Sequence, residues 1–263
     1  MVLPKGYELI KCNYPSQIIL ESDGKISVSF INVGPQEVPL HIEARKLPVS
    51  VDLASSTPVS KEVDPIGQGR DKSKARVNFN FQERANQTRE IVYFLQQPET
   101  HAFRLYHDYT ETKEGTDRYI NVVRPGSKAS NPSAKMLDTG KALKVETLKG
   151  EAITNKGLDI GEPVTSETEI VVIWYDAITK GQSARLRIEE TYTDKNRYIL
   201  EGNEFIFDRS FGRPFNTVVL PDGWFLTANA IPATVDILDG KVSLFYVNNS
   251  PGDIDVYIKG RKK

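Results

Sequence analysis

The sequence predicts a mainly β protein: an antiparallel β-sandwich, Ig-like or jelly-roll-like, with an incomplete N-terminal copy of the same β unit and one linking α-helix. Three observations predict it. Short alternating or β-branched runs recur between turn pairs such as Asp23-Gly24, Asp239-Gly240 and Lys180-Gly181, the pattern of strands joined by tight turns. The two ends of the chain repeat one another. Between them lies a stripe of apolar residues at helical spacing.

The repeat begins with Leu3-Pro4-Lys5-Gly6-Tyr7-Glu8-Leu9, echoed by Leu220-Pro221-Asp222-Gly223-Trp224-Phe225-Leu226. It continues through Pro15 and Pro232, then Asp23-Gly24-Lys25-Ile26-Ser27 and Asp239-Gly240-Lys241-Val242-Ser243. It ends on Ile42 to Lys46 and Ile258 to Lys262. Aligning residues 3–18 with 220–235 and 23–46 with 239–262 pairs 40 residues, of which 14 are identical. Chance supplies roughly two or three, so the ends read as two copies of one unit. Each copy is expected to be a meander of about three strands. In the first copy two of them are Lys25 to Ile31 and Val38 to Ile42, and in the second Lys241 to Val247 and Ile254 to Ile258.

Further strands follow from the same signals. His101 to Tyr109 is one long run, and Tyr119 to Val123 is closed by Pro125-Gly126. Glu169 to Tyr175 and Ala184 to Tyr192 read as a hairpin around Lys180-Gly181. In the latter, Ala184, Leu186 and Ile188 share a face opposite Arg185, Arg187 and Glu189, as a half-buried sheet requires. Glu204 to Phe207 and Thr217 to Leu220 lead into the second copy. Pro48 to Arg76 has linker composition. Phe81, Ala85, Thr88, Val92 and Leu95 predict a helix over about 82–97, ended by Pro98. The expected organisation is a partial β unit over 1–46, a linker with the helix over 47–100, and a complete sandwich over 101–263 carrying the second copy in 220–263. A meander alone buries too little. The first copy must therefore dock on the second domain, pair with another molecule, or belong to a longer chain.

Composition removes several classes. Lys plus Arg is 34 against 35 Asp plus Glu, so no basic excess invites nucleic acid. No apolar run is long enough to cross a bilayer as a helix, and the N-terminus lacks the apolar core of a signal peptide. Cys12 is alone, so neither an intrachain disulfide nor a cysteine-based zinc site is expected. No cofactor or metal site is predicted.

Candidate chemistry is sparse. Gly67-Gln68-Gly69 and Gly181-Gln182-Ser183 begin nucleotide-binding and nucleophile-elbow motifs, but Lys72 and Arg185 stand where the closing glycines belong. His101, His107 and Asp108 are the best catalytic candidates. Along a strand, however, the two imidazoles lie roughly 20 Å apart and the acid faces away from His107. The plainer reading leaves both histidines at or near strand ends with their tips in water. Glu189-Glu190 and Glu201 to Glu204 offer carboxylates, expected on solvated faces. Trp224, Tyr7 and Trp174 are candidate flat platforms for a sugar, or aromatic anchors of the core. Asp208, Arg209 and Arg213 suggest a loop held by ion pairs, with a partner or anion site as the alternative.

The runs Arg89 to Leu95, His101 to Thr110 and Leu220-Pro221-Asp222-Gly223-Trp224 resemble stretches of large, exported, β-rich bacterial proteins with tandem repeats and no established function. The resemblance implies an extracytoplasmic (periplasmic or secreted) setting and a longer parent chain, and it assigns no catalytic residue. The functional expectation is a non-catalytic interaction or structural module, self-assembling through sheet edges, whose partners are other protein chains or another copy of itself. The alternatives are a carbohydrate-binding module that uses Trp224 and Tyr7 on a polysaccharide, and a hydrolase. Neither nucleic acid nor membrane insertion is expected.

Overall fold

The computed structural model describes residues 1–32, 34–51, 53, 87–249 and 252–263. Of these, 57% lie in strands and 4% in helices, so the mainly β class holds. The chain forms two compact units, one from Met1–Phe79, Tyr93–His101 and Arg197–Lys263, the other from Asn80–Val92 and Ala102–Asn196. These are not the boundaries expected near residues 46 and 100. The two repeated stretches fall in the same unit, and the intervening strands form the other.

The first unit opens with β1 (Tyr7–Leu20), β2 (Ile26–Ser29) and β3 (Ile42–Lys46). β4 (Gln87–Leu95) starts in the second unit and ends in the first, before a 3-10 turn at Pro98–Thr100. The second unit continues with β5 (Ala102–Glu111), β6 (Arg118–Val122), β7 (Lys128–Met136), β8 (Lys144–Lys149), the short helix α1 (Glu151–Asn155), β9 (Glu169–Trp174) and β10 (Ala184–Thr193). The chain returns with β11 (Tyr198–Glu201), β12 (Glu204–Phe211), β13 (Phe215–Val219), β14 (Trp224–Leu238), β15 (Lys241–Val247) and β16 (Ile254–Lys262). Every ladder described below is antiparallel, although the large sheet as a whole is mixed, a departure from the purely antiparallel expectation.

The predicted helix is not formed: Gln87–Leu95 is strand, and residues 82–86 lie outside the described residues. The helical stripe counted Thr88, which is exposed, and passed over Arg89 and Tyr93, which are buried. Arg89, Tyr93 and Leu95 follow a period of two, and the run Ile91-Val92-Tyr93-Phe94 favours a pleated backbone. The linker and its Gly67-Gln68-Gly69 also lie outside the described residues.

In the first unit, β1 and β14 play the same part. Each is a long strand that follows a turn with glycine at positive φ, Gly6 at 82° and Gly223 at 80°, a conformation that costs a residue with a Cβ. The first half of β1 pairs with β3 and its second half with β2, and β14 pairs likewise with β16 and β15. The registers coincide when shifted by 217 on the long strand and 216 on its partners. Leu9↔Ala44 corresponds to Leu226↔Gly260, Ile18↔Val28 to Val235↔Leu244, and the register slip after Leu9 to that after Leu226. β2 and β3 do not pair with one another, so neither copy is the simple meander expected. Pro15 and Pro232, which have no N–H to donate, interrupt the long strands where one partner gives way to the other. β3 also starts later than expected, at Ile42.

β1 pairs with β14, and the pairs obey a local two-fold. Cys12↔Val235 and Ile18↔Asn229 exchange under the shift of 217, and Ser16↔Ala233 maps onto itself. Side chains follow the same relation. Cys12 Sγ contacts the Tyr14 carbonyl at 3.2 Å, as Asn229 Nδ2 donates to the Ile231 carbonyl at 2.7 Å. The first copy therefore docks on the second within one chain. β12 borders β16, β11 borders β12, and β13 borders β15. The core of this unit gathers Phe205, Phe207, Phe211, Tyr198, Tyr246 and Trp224, with Tyr93 stacked on Phe211 at 4.9 Å between centroids.

The second unit is a sandwich. β5, β10 and β7 pair side by side as part of the large sheet, and β6-β9-β8 forms a separate three-stranded sheet. β9 and β10 lie in different sheets, so the expected hairpin is absent. β9 is buried on both faces because Ile153 of α1 and Leu158 cover Ile170 and Val172 on its outer side. A strand with two dry faces belongs in the middle of a covered sheet. β10 keeps one wet face and the predicted alternation.

Candidate functional site

The residues singled out by sequence are dispersed. His101 closes the 3-10 turn of the first unit at φ 53°, its Nδ1 2.9 Å from the Tyr198 carbonyl oxygen. His107 lies in the second unit and is 5% exposed, edge-on to Tyr119 at 5.4 Å and tilted against Tyr109 at 5.9 Å. It is no strand-end imidazole in water, because the apolar face of β5 carries it inside. Asp108 faces the other way and takes a two-pronged ion pair from Arg187, 2.7 Å at each oxygen.

The aromatics are anchored. Trp224 is 3% exposed, its Nε1 donating to Gln97 Oε1 at 3.0 Å and its ring against Phe205 at 5.5 Å. No open ring face remains on which a pyranose could stack. Trp174 is half-buried, donates to Glu146 at 2.9 Å, and is flanked by Arg118 and Lys156 at 5.3 and 5.7 Å from its centroid. Glu146 is held down at about 2 by Lys156 and then Lys144, with the indole N–H adding to the effect. Tyr7 is half-buried opposite Lys46. Asp208 and Arg209 belong to β12 and not to a loop, and Arg213 follows it, so this group offers no loop site.

Of the carboxylates expected on solvated faces, Glu201 is exposed, whereas Glu190 and Glu204 are buried. Glu189 stays half-buried on the outer face beside Arg104, but Glu190 is 3% exposed. Its Oε2 accepts from Asn121 Nδ2 of the facing sheet at 2.8 Å, and that amide also donates to the Tyr192 hydroxyl at 2.7 Å. Burial pushes Glu190 up to about 7 against the opposing effect of these hydrogen bonds. The period of Ala184, Leu186 and Ile188 already places Glu190 and Tyr192 on the same face. Glu204 is buried between Lys259 at 2.6 Å and Arg261 at 2.8 Å. Deeper in the second unit, Gln87 and Tyr109 donate to Glu111, and the Arg89 guanidinium lies over the rings of Tyr109 and Tyr119 at 5.0 and 5.3 Å. Among the described residues no group of three or more His, Cys, Asp or Glu side chains converges as metal ligands. A cleft of about 490 Å³ in the second unit, lined by residues including Arg124, Ser127, Lys149, Glu167 and Glu169, holds none of the predicted candidates.

The most distinctive surface is a strand edge. β16 is bordered on both sides, by β14 and β12, whereas its counterpart β3 is bordered by β1 alone among the described residues. The chain has used the same kind of edge once already, where β1 receives β14.

No protein-family model matches this chain, nor does any curated protein. Its fold is similar to that of an M1 zinc metallopeptidase from Deinococcus radiodurans, at a TM-score of 0.39 and 10% identity over 67% of this chain and 42% of that one. It is similar also to an aminopeptidase N family protein from Idiomarina loihiensis, at 0.39 and 10% over 65% of this chain and 29% of that one. A candidate nutrient-binding protein from Legionella pneumophila follows, at 0.34 and 7% over 65% of each. The chain spans less than half the length of the peptidases it resembles. Likeness at this level assigns no activity.

Proposed function

We propose that this chain is a non-catalytic interaction or structural module of a larger exported protein, built from a duplicated β unit that recognises partners through strand edges. The observation that carries the reading is the ladder between β1 and β14, in which two equivalent strands meet edge to edge about a local two-fold. Strand addition is a general mode of protein recognition, with backbone hydrogen bonds supplying affinity. The tethering of chemically capable side chains supports it further: His107 is wedged among aromatic rings and Asp108 is held by Arg187. The setting outside the cytoplasm rests on the family resemblance.

The test is incubation of the purified chain with ester, glycoside and peptide substrates, with and without added divalent metal ions. No turnover is expected. Turnover that disappears in His101→Ala, His107→Phe or Asp108→Asn, with the fold intact by circular dichroism, overturns the reading in favour of a hydrolase.

A further inference from the structure

The two-fold relation gives each residue of β3 a counterpart in β16, and so tells which way its backbone points. Leu47 N donates to the Gly6 carbonyl at 2.8 Å, and Lys263 N to the Gly223 carbonyl at 2.8 Å, the same bond in each copy. Lys262 N donates the other way, to the Asn203 carbonyl on the β12 side. Amides alternate along a strand. Ile42, Ala44 and Lys46 therefore direct their N–H and C=O groups away from β1, along an edge that in β16 is filled by β12.

A strand like β12 does not suit β3. In the second copy Phe205 lies opposite Gly260, where an added Cβ would stand 2.3 Å from the ring. The first copy has that Cβ, as Ala44. Lys259, which holds Glu204, is replaced by Glu43. What suits the β3 edge is its own sequence reversed. Paired antiparallel about Ala44, two copies of Ile42-Glu43-Ala44-Arg45-Lys46 place Ala44 opposite Ala44 and Ile42 opposite Lys46 as hydrogen-bonded pairs. Glu43 then falls opposite Arg45 at the closer, non-hydrogen-bonded positions. The Glu43 and Arg45 side chains are 48% and 47% exposed. Arg45 Nε already donates to Glu8 Oε1 and Glu43 Oε1 already meets His41 Nε2, each at 2.8 Å, so the Arg45 terminal nitrogens and Glu43 Oε2 are the atoms left to reach across.

The geometry points to a second copy of this chain as the occupant of the β3 edge, in an isologous dimer closed by a continuous antiparallel ladder and two Glu43–Arg45 ion pairs. This inference rests on the reading of the chain as an edge-recognising module and names its partner. A pairing of five residues is small, so the dimer forms in a concentration-dependent way and weakens with salt.

Sedimentation velocity from micromolar to millimolar protein tests it. The wild-type chain is expected to shift from monomer to dimer. Glu43→Arg places like charges opposite one another twice per dimer and is expected to weaken association at least tenfold. Ala44→Pro removes the central outward N–H while sparing the ladder to β1, and is expected to abolish association with the circular dichroism spectrum unchanged. If the proline variant unfolds, Glu43→Arg decides alone. A wild-type chain that stays monomeric throughout, or a dimer as tight in Glu43→Arg as in wild type, overturns the proposal. Monomers would remove the self-partner and leave the module reading standing, whereas substrate turnover would remove that reading and leave the ladder.

Discussion

Glu190 shows how a single side chain can record the dryness of its surroundings. Its carboxyl sits between two sheets, raised to about 7 chiefly by burial. The folded chain therefore holds the proton more tightly than the unfolded chain, whose ordinary value is 4.5. The stability this contributes is complete below pH 4.5 and is lost as pH rises through 7, about 3 kcal/mol in all. Glu190→Gln keeps an acceptor for Asn121 and removes the charge. Urea denaturation at pH 8.5 is expected to show the variant more stable than wild type by about 2–3 kcal/mol, with the difference vanishing near pH 4.5. A gap independent of pH would show that ionisation of Glu190 is not its source. The sequence held the signal for this burial, since two further steps along the alternation of β10 reach Glu190. It was masked by the chemistry of the residue, because a Glu-Glu pair reads as solvated until a facing Asn121 is known. The buried trio of Glu204, Lys259 and Arg261 was illegible for the same reason, its members coming together only through the pairing of β12 with β16.

At the scale of elements, strands with one wet face were legible and the others were not. β5 and β10 alternate cleanly, and their buried faces match the pattern of their residues. β4 was taken for a helix because its buried set includes the cation Arg89, so that counting apolar residues alone produced a false period. The Lys180-Gly181 turn makes β9 and β10 read as a hairpin, but the two dry faces of β9 demand cover above and below, which a half-wet hairpin does not supply. Gly260 tests how closely two of these elements fit. A Cβ there would lie 2.3 Å from the Phe205 ring and 2.9 Å from the Phe225 carbonyl oxygen. Gly260→Ala is therefore expected to lower unfolding stability by about 1–3 kcal/mol through overpacking. The reverse change at the matching place, Ala44→Gly, is expected to cost only about 0.5–1 kcal/mol of backbone entropy. Equal losses in chemical denaturation would mean that the approach of Phe205 to β16 is looser than the distances imply.

Across the molecule, the ladder from Cys12↔Val235 to Ile19↔Ala228 ties the two repeated stretches into one unit. Native-state hydrogen exchange is expected to find the amides of this ladder opening together with those of β14 and β16, as one cooperative unit. Exchange of β1 at markedly lower free energy would show the first copy as a loosely attached flap. The likeness of the two stretches was legible from 14 identities, but their contact was not, since nothing in either sequence states that it pairs with the other. The same ladder bears on biosynthesis. The ribosome makes β1 first and β14 some 217 residues later, about ten to forty seconds at ordinary elongation rates. Strands β5 to β10 emerge in the interval and can close their own sandwich, while β1 waits without the strand that will pair along its edge. Nascent chains paused before β14 should thus be the species most in need of a holding chaperone.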